Sequence, residues 1–292
     1  MRKLRNQPGL FFVLPGVAWV LAFTIFPLAY SLGLSFTDKR MGRRNRPGDW
    51  IGLQNYQDIF SDNRVEEVLE MTLFVIVGGV VVTVVLGTLI AWLFNHDIPG
   101  LRVFRSILTL PIFAAPIALG QLGMILFNEQ SGPINHLIRG AGGDPIFWLT
   151  DPWSARFAVL MVDAWQWTPF VFIIVLAAMQ AIPDELYEAA RLDTSSPWPI
   201  FRRITLPLIA PALGTITMLR LVETFKILDI PYTLTGGGPG VSTQTYSFYI
   251  YLEGLRNFDM GYASALAYML VIVAIIISSI FFWRVRERYE VR

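Results

Sequence analysis

A helix that crosses a membrane needs roughly 20 consecutive apolar residues, and four stretches of this chain reach that length without a single charge: residues 6–37, 71–96, 106–128 and 260–283. Two more are interrupted. Residues 157–183 contain only Asp163, and the run from Ile204 stays uncharged to Arg220 before carrying Glu223, Lys226 and Asp229. The pattern predicts an all-α integral membrane protein with six transmembrane helices near 10–35, 72–95, 105–128, 156–181, 205–229 and 261–283, forming one transmembrane domain over 1–292. Arg2, Lys3 and Arg5 ahead of the first run look like the start of a signal peptide. The apolar stretch exceeds the usual h-region of about 7–15 residues and five spans follow, so a retained first helix is expected.

Composition closes several function classes. Only 15% of the residues are charged, against about a quarter in a soluble domain. A net charge of +1 without clustered bases leaves no footprint for nucleic acid. With no cysteine, disulfides, thiol nucleophiles and thiolate metal sites are excluded. His96 and His136 fall in expected loops, and neither has a second metal ligand at helical spacing.

Lys and Arg in short loops favour the cytoplasm. Placing both termini inside puts Arg2, Lys3, Arg5, Arg102, Arg105, Arg191, Arg202, Arg203, Arg284, Arg286, Arg288 and Arg292 on that side. The first outer loop runs against the rule, with Lys39, Arg40, Arg43, Arg44, Arg46 and Arg64, whereas the outer segments around Arg139, Arg156 and Arg256 carry little positive charge. That first loop is expected to hold a short helix near 55–60. Gly78, Gly79 and Gly87 in span two allow a neighbouring helix to approach closely. Pro111 and Pro116 predict a kink in span three.

The most informative segment is residues 182–205, IPDELYEAARLDTSSPWPIFRRIT, which is too polar to span. Pro183 suits a first helical position, and Asp184 and Glu185 suit the positive end of a helix dipole. A helix is therefore expected from about 183 to 193, with a second starting at Pro197. Two readings stand side by side: an amphipathic helix on the lipid headgroups, which Trp198 and Phe201 would suit, or a docking element that presents Tyr187, Glu188, Ala189, Ala190, Arg191 and Asp193 to a soluble partner. Periodicity does not separate them.

The run EAARLDTSSPWPIFRRITLPLIAP, from Glu188 on, resembles the EAA loop of binding-protein-dependent ABC importer permeases. The resemblance extends through IGLQNY at 51–56, LFN at 126–128, MQAIPDELYEAA at 179–190, and LTGGGP followed by Ser242 and Thr243. It is similar to the carbohydrate-uptake branch, in particular the maltose-type and glycerophosphate-type permease that carries a TGGGP outer loop. One position departs from the family: Thr194 stands where Gly is usual, which puts the turn geometry in question because β-branched residues disfavour the left-handed conformation.

The resemblance implies a coupling helix that inserts into a cytoplasmic ATPase, with Glu188, Ala189, Ala190 and Asp193 at the contact. It implies two copies of that ATPase, a second permease with its own EAA loop, an extracytoplasmic solute-binding protein, and residence in a prokaryotic cytoplasmic (inner) membrane. No phosphate-loop lysine exists here, since Lys3, Lys39 and Lys226 are the only lysines and none follows a Gly-rich loop. The expectation is a transport subunit with no cofactor of its own, ATP and Mg being used by the partner chain.

Intramembrane charge points to a pathway, because a charge at the bilayer centre costs about 2.5–3.5 kcal/mol. Arg220, Glu223, Lys226 and Asp229 alternate in sign at i, i+3 spacing, which makes either a self-neutralising ladder or, with Arg220, Glu223, Thr224 and Ile227 on one face, part of a substrate path. Span four adds Asp163, Gln166, Trp167 and Phe170, as either packing residues or a sugar-binding set in which the aromatics stack on rings and Asp and Gln bond hydroxyls. In maltose-type relatives these same two helices hold the sugar, and the matching positions are Asp163, Gln166, Trp167 and Phe170 on one and Arg220, Thr224 and Ile227 on the other. The side chains differ from the maltose pattern, so a neutral sugar, oligosaccharide or polyol is expected rather than maltose itself. The competing class is a secondary transporter or channel that uses the intramembrane charges for protons or ions.

Overall fold

The computed structural model describes residues 8–41, 48–95 and 100–289. His96 and the basic residues Arg2, Lys3, Arg5, Arg43, Arg44, Arg46 and Arg292 lie outside them, as do the side chains of Arg286 and Arg288. Fourteen helices follow in order among the described residues: α1 (Pro8–Val20), α2 (Phe26–Leu34), α3 (Gln54–Ser61), α4 (Asn63–Leu93), α5 (Leu101–Thr109), α6 (Pro116–Leu126), α7 (Pro133–Gly140), α8 (Pro152–Gln180), α9 (Asp184–Asp193), α10 (Pro197–Ile200), α11 (Leu206–Thr224), α12 (Asp229–Leu234), α13 (Tyr246–Tyr251) and α14 (Met260–Tyr289). Among the described residues five helical stretches are long and apolar enough to cross a membrane, and a bent pair makes six if it is counted as one span.

Proline explains the irregular turns. A proline ring at position i collides with the carbonyl of residue i−4, and the wide turns Leu21–Ile25 and Phe201–Thr205 sit directly before Pro27 and Pro207, opening the helix where Phe23 and Arg203 would clash. Span three is more than kinked. The stretch Leu101–Phe113 meets Pro116–Leu126 at 103°, because Pro116 holds Ala115 in an extended conformation (φ −63°, ψ 135°). Span five is shorter at its far end than the apolar run implied, since α11 stops at Thr224 and Asp229 opens the separate helix α12.

The chain forms two compact units. One comprises residues 1–62 and 250–272. In it the first span, Phe12–Leu34, has no buried residue. The buried Asn55 of α3 donates to the carbonyls of Ser35 and Thr37 at 2.8 and 2.9 Å. Arg40, one of the loop bases that run against the charge rule, pairs with Asp259 at 2.8 Å.

The other unit comprises residues 63–249 and 273–292. Its centre is α4 against α8, running in the same direction: Gly78 faces Leu160 and Gly87 faces Val171. A Cβ on Gly87 would lie 2.6 Å from that of Val171, so only hydrogen fits there. Two apolar clusters stack along the bundle, one around Met71, Val159, Leu119, Ile230 and Leu234, the other around Ala91, Phe172, Met179, Ile209 and Ile216. Asp151 caps α8 by accepting from the Ser154 N–H at 2.9 Å, and that bond holds its carboxyl below the ordinary carboxylate range.

The segment between spans three and four contains a helix where the sequence indicated a loop. His136 lies exposed on α7. Asn135, fully buried on the same helix, donates to the carbonyls of Glu129 and Ile146 and accepts from the N–H groups of Ile146 and Trp148, with all four distances at 2.8–3.1 Å. Asn135→Ala leaves these groups unmatched, and losing such partners costs about 1–3 kcal/mol. Amide exchange across residues 129–150 should accelerate while the helical content of the spans stays unchanged.

Candidate functional site

Spans two, four and five bring their polar residues to one point. Arg220 of α11 is 0% exposed and Asp163 of α8 is 2% exposed. The guanidinium donates to the Asp163 carboxylate at 2.6 Å through Nη2 and to the Thr83 hydroxyl at 3.3 Å through Nε. Thr83 in turn donates to the Gly79 carbonyl at 2.6 Å. The Trp167 ring lies 4.9 Å from the guanidinium carbon, a cation–π distance. Nη1 of Arg220 is buried without a partner among the described residues.

The pair depends on a glycine. A Cβ on Gly79 would sit 2.9 Å from Asp163 Oδ2 and 3.4 Å from Arg220 Nη2, so any side chain there intrudes on the ion pair. Thr83 and Gly79 were not singled out as parts of the site from sequence, since a threonine and a glycine in a valine-rich run read as packing. The signal was faint: they lie four residues apart, on one helix face.

Gln166 has a different task from the one its type suggests. Its amide nitrogen donates to the Ala114 carbonyl at 3.3 Å, and that carbonyl is freed where span three breaks. The opposite amide atom, Oε1, is buried and unpaired. Trp167 and Phe170 are half-buried and pack edge to face at 5.8 Å.

The expected ladder along span five does not form as one series. Arg220 turns to Asp163 on another helix, Glu223 pairs with Lys226 at 2.8 Å on a half-exposed flank, and Asp229 starts α12. The helix ends at Thr224, so the i, i+3 spacing beyond it no longer fixes a face. Thr224 is buried and donates to the Arg220 carbonyl at 2.7 Å, and Ile227 is half-buried in the loop that follows.

A second cluster lies at the opposite end of α8 and α11. α9 starts one residue later than expected, with Pro183 as its cap at ψ 136°. Ala190 is buried, Tyr187 hydrogen-bonds the Thr205 hydroxyl at 3.2 Å, and Glu188, Ala189, Leu192 and Asp193 are exposed, Leu192 to 89%. Thr194 has φ −154° and ψ 138°, an extended residue that a β-branched side chain adopts without penalty. The turn after the helix therefore needs no glycine. Thr194 also accepts the Ser196 N–H at 3.2 Å.

The glycine-rich run after α12 is a turn closed on itself. Gly236, Gly237 and Gly240 have φ of 64°, 90° and 60°. The Thr235 hydroxyl accepts the Gly237 N–H, and the Thr243 hydroxyl donates to the Gly238 carbonyl. Arg156 fastens this loop, donating to the Ser242 carbonyl at 2.9 Å while pairing with Glu70 at 2.7 Å. Among the described residues no group of three His, Asp or Glu side chains is placed to hold a metal ion.

Known proteins resemble this chain in sequence and in fold. The family model described as "Binding-protein-dependent transport system inner membrane component" matches residues 83–288. The trehalose/maltose transport system permease protein MalF of Thermococcus litoralis is 32% identical, covering 90% of this chain and 90% of its own length. The lactose transport system permease protein LacF of Rhizobium radiobacter is 30% identical over 99% of this chain and 97% of its own. A chain from the crystal structure of a bacterial ABC transporter involved in import of the acidic polysaccharide alginate superposes with a TM-score of 0.80 at 24% identity, covering 94% of each chain.

Removing one member of a buried ion pair costs about 3–5 kcal/mol, because the other charge stays buried without compensation. Asp163→Ala should therefore lower the melting temperature of the purified protein sharply. The double change Asp163→Leu with Arg220→Met, which removes both charges at similar volume, should recover most of that loss.

Proposed function

The chain belongs to the family of inner membrane components of binding-protein-dependent transport systems and is a permease subunit of an ABC importer, a transport subunit rather than an enzyme; on that premise we propose that it carries a sugar, oligosaccharide or polyol and is driven through α9 by a separate ATPase. The substrate class is supported by relatives named for trehalose/maltose and lactose transport. The neutral disaccharides in those names need hydroxyl-bonding groups and aromatic faces along the path, which Asp163, Gln166, Trp167 and Phe170 of α8, with Arg220, Glu223, Thr224 and Ile227 from span five and its end, would supply. In the conformation described here Asp163, Arg220 and Thr224 are buried together. Substrate reaches them only when α4, α8 and α11 move apart, and hydroxyl groups then replace the partners that the closed bundle provides.

The observation that carries the coupling role is the character of the exposed face of α9. Interfacial helices are rich in Lys and Arg, which meet anionic headgroups. α9 presents Asp184, Glu185, Glu188 and Asp193 with Arg191 as its only base, and places the 89% exposed Leu192 among them. An acidic face around an apolar tip suits a protein cleft better than a lipid surface. Glu188, Ala189 and Asp193 are assigned to that contact, with the buried Ala190 setting how closely α9 lies on the bundle. Two ATPase copies using ATP and Mg, a second permease with its own docking helix and an extracytoplasmic binding protein complete the proposed importer, and both termini face the cytoplasm.

Two measurements test this reading. Glu188→Lys reverses a charge in a partly desolvated contact, an exchange that costs several kcal/mol. Substrate-stimulated ATP hydrolysis of the assembled complex should fall at least about tenfold while membrane insertion is normal. A headgroup-bound helix would gain from the added lysine, so unchanged hydrolysis and unchanged ATPase co-purification reject the docking role. On the pathway, Trp167→Ala should reduce sugar uptake without reducing ATPase co-purification, and undiminished uptake moves the path away from α8.

A further inference from the structure

Beside α9 lies a half-open cavity of about 720 Å3 that contains none of the residues assigned to the substrate path. Its wall is made by the ends of α4 and α8, by α5, and by α9 with the turn after it. The volume is within the range of small-molecule sites, about 300–1,000 Å3.

Its polar lining is short of partners. Arg105 of α5 makes one long contact, Nη2 to the Phe94 carbonyl at 3.4 Å, and its Nε is buried with no acceptor. Arg191 of α9 lines the same space and has no hydrogen bond or ion pair among the described residues. Asn95, Gln180 and Asp184 line it as well, Gln180 and Asp184 being exposed like Arg191. The buried donor among these is Arg105 Nε, which packed interiors seldom leave unmatched because it costs about 1–3 kcal/mol, whereas Arg191 is exposed and free to meet a ligand from solvent. Two guanidinium groups from different helices against one carboxylate give the cavity a positive balance. The planar fork of arginine matches a phosphate through paired N–H donors. Asp184 adds an acceptor for a hydroxyl or ammonium group, and Met179, Ile182 and Phe201 line the remainder with apolar surface.

We propose that this cavity is a binding site for a phosphate-bearing ligand, the phosphate held between Arg105 and Arg191 and an adjoining hydroxyl or ammonium group held by Asp184. The ligand is either a phospholipid headgroup or a soluble phosphate compound, and it ties α5 to α9. The site shares Asp184 and Arg191 with the exposed face of α9 but none of the residues assigned to the substrate path or to the ATPase contact, and it is read out by binding alone.

The test uses the whole assembled transporter with its ATPase sites filled by a non-hydrolysable nucleotide. Native mass spectrometry reads retained phosphatidylglycerol, and calorimetry reads inorganic phosphate binding after delipidation. Arg105→Gln and Arg191→Gln should each weaken whichever ligand the wild type holds by about tenfold or more, the size expected for losing a charge-assisted hydrogen bond. Ile182→Trp, which fills the cavity and keeps both charges, should exclude the ligand, and Arg102→Gln on the exposed side of α5 should leave binding unchanged. Retained lipid assigns the headgroup as the source, and phosphate uptake by the delipidated complex alone assigns a soluble one. A wild-type complex that holds neither overturns the proposal. So does unaltered binding in assembled Ile182→Trp or in both arginine variants.

Discussion

A guanidinium at 0% exposure inside a bundle of apolar helices is tolerable only when a carboxylate meets it with good geometry, and much of this unit is arranged around that requirement. The 2.6 Å contact between Arg220 and Asp163 fixes the rotation of α11 against α8. The hydroxyl of Thr83 brings α4 into the same contact, and the missing side chain at Gly79 makes room for it. The ring of Trp167 covers the cation from the helix that carries the anion. Three spans thus share one polar junction within an otherwise apolar packing, and moving any of them changes the surroundings of a charge that has no water to fall back on.

The broken third span obeys the same rule with neutral groups. A helix bent by 103° inside a membrane exposes carbonyls that lipid cannot satisfy. Here a side chain amide from α8 reaches the Ala114 carbonyl. Gln166 and Asp163 lie three residues apart and each is buried, so one turn of α8 serves both the ion pair and the break.

The spans were legible from the sequence because charge-free runs of bilayer length have few other uses, and the glycines at 78, 79 and 87 announced close helix contact without naming the partner. Less could be read of the site. Spacing predicts partners along one helix, so Arg220 was matched with Glu223, whereas the folded chain joins it to a residue 57 positions away. A ladder continued to Asp229 required α11 to continue as well, and it ends at Thr224. The helix after Pro183 was foreseen by its capping chemistry. The suspicion attached to Thr194 rested on an assumed left-handed turn, while the backbone there is extended. No sequence pattern announced the cavity beside α9, since its lining joins residues 179–205 to Arg105 and to Trp92 and Asn95, more than 70 positions earlier.

The segment from Pro197 to Thr224 is helical throughout, including the wide turn ahead of Pro207, and counts as one stretch of 28 residues. Only residues 194–196 separate it from α9. Mechanically this is a lever with a short joint at one end and a charge close to the other. At 1.5 Å per residue the arm from Pro197 to Arg220 is about 35 Å, and a tilt of about 5° at the joint sweeps its far end through about 3 Å. That travel is comparable to the 2.6 Å span of the hydrogen bond it carries. A rotation too small to disturb side-chain packing near the joint is therefore large enough, at the charged end, to decide whether Arg220 and Asp163 still touch.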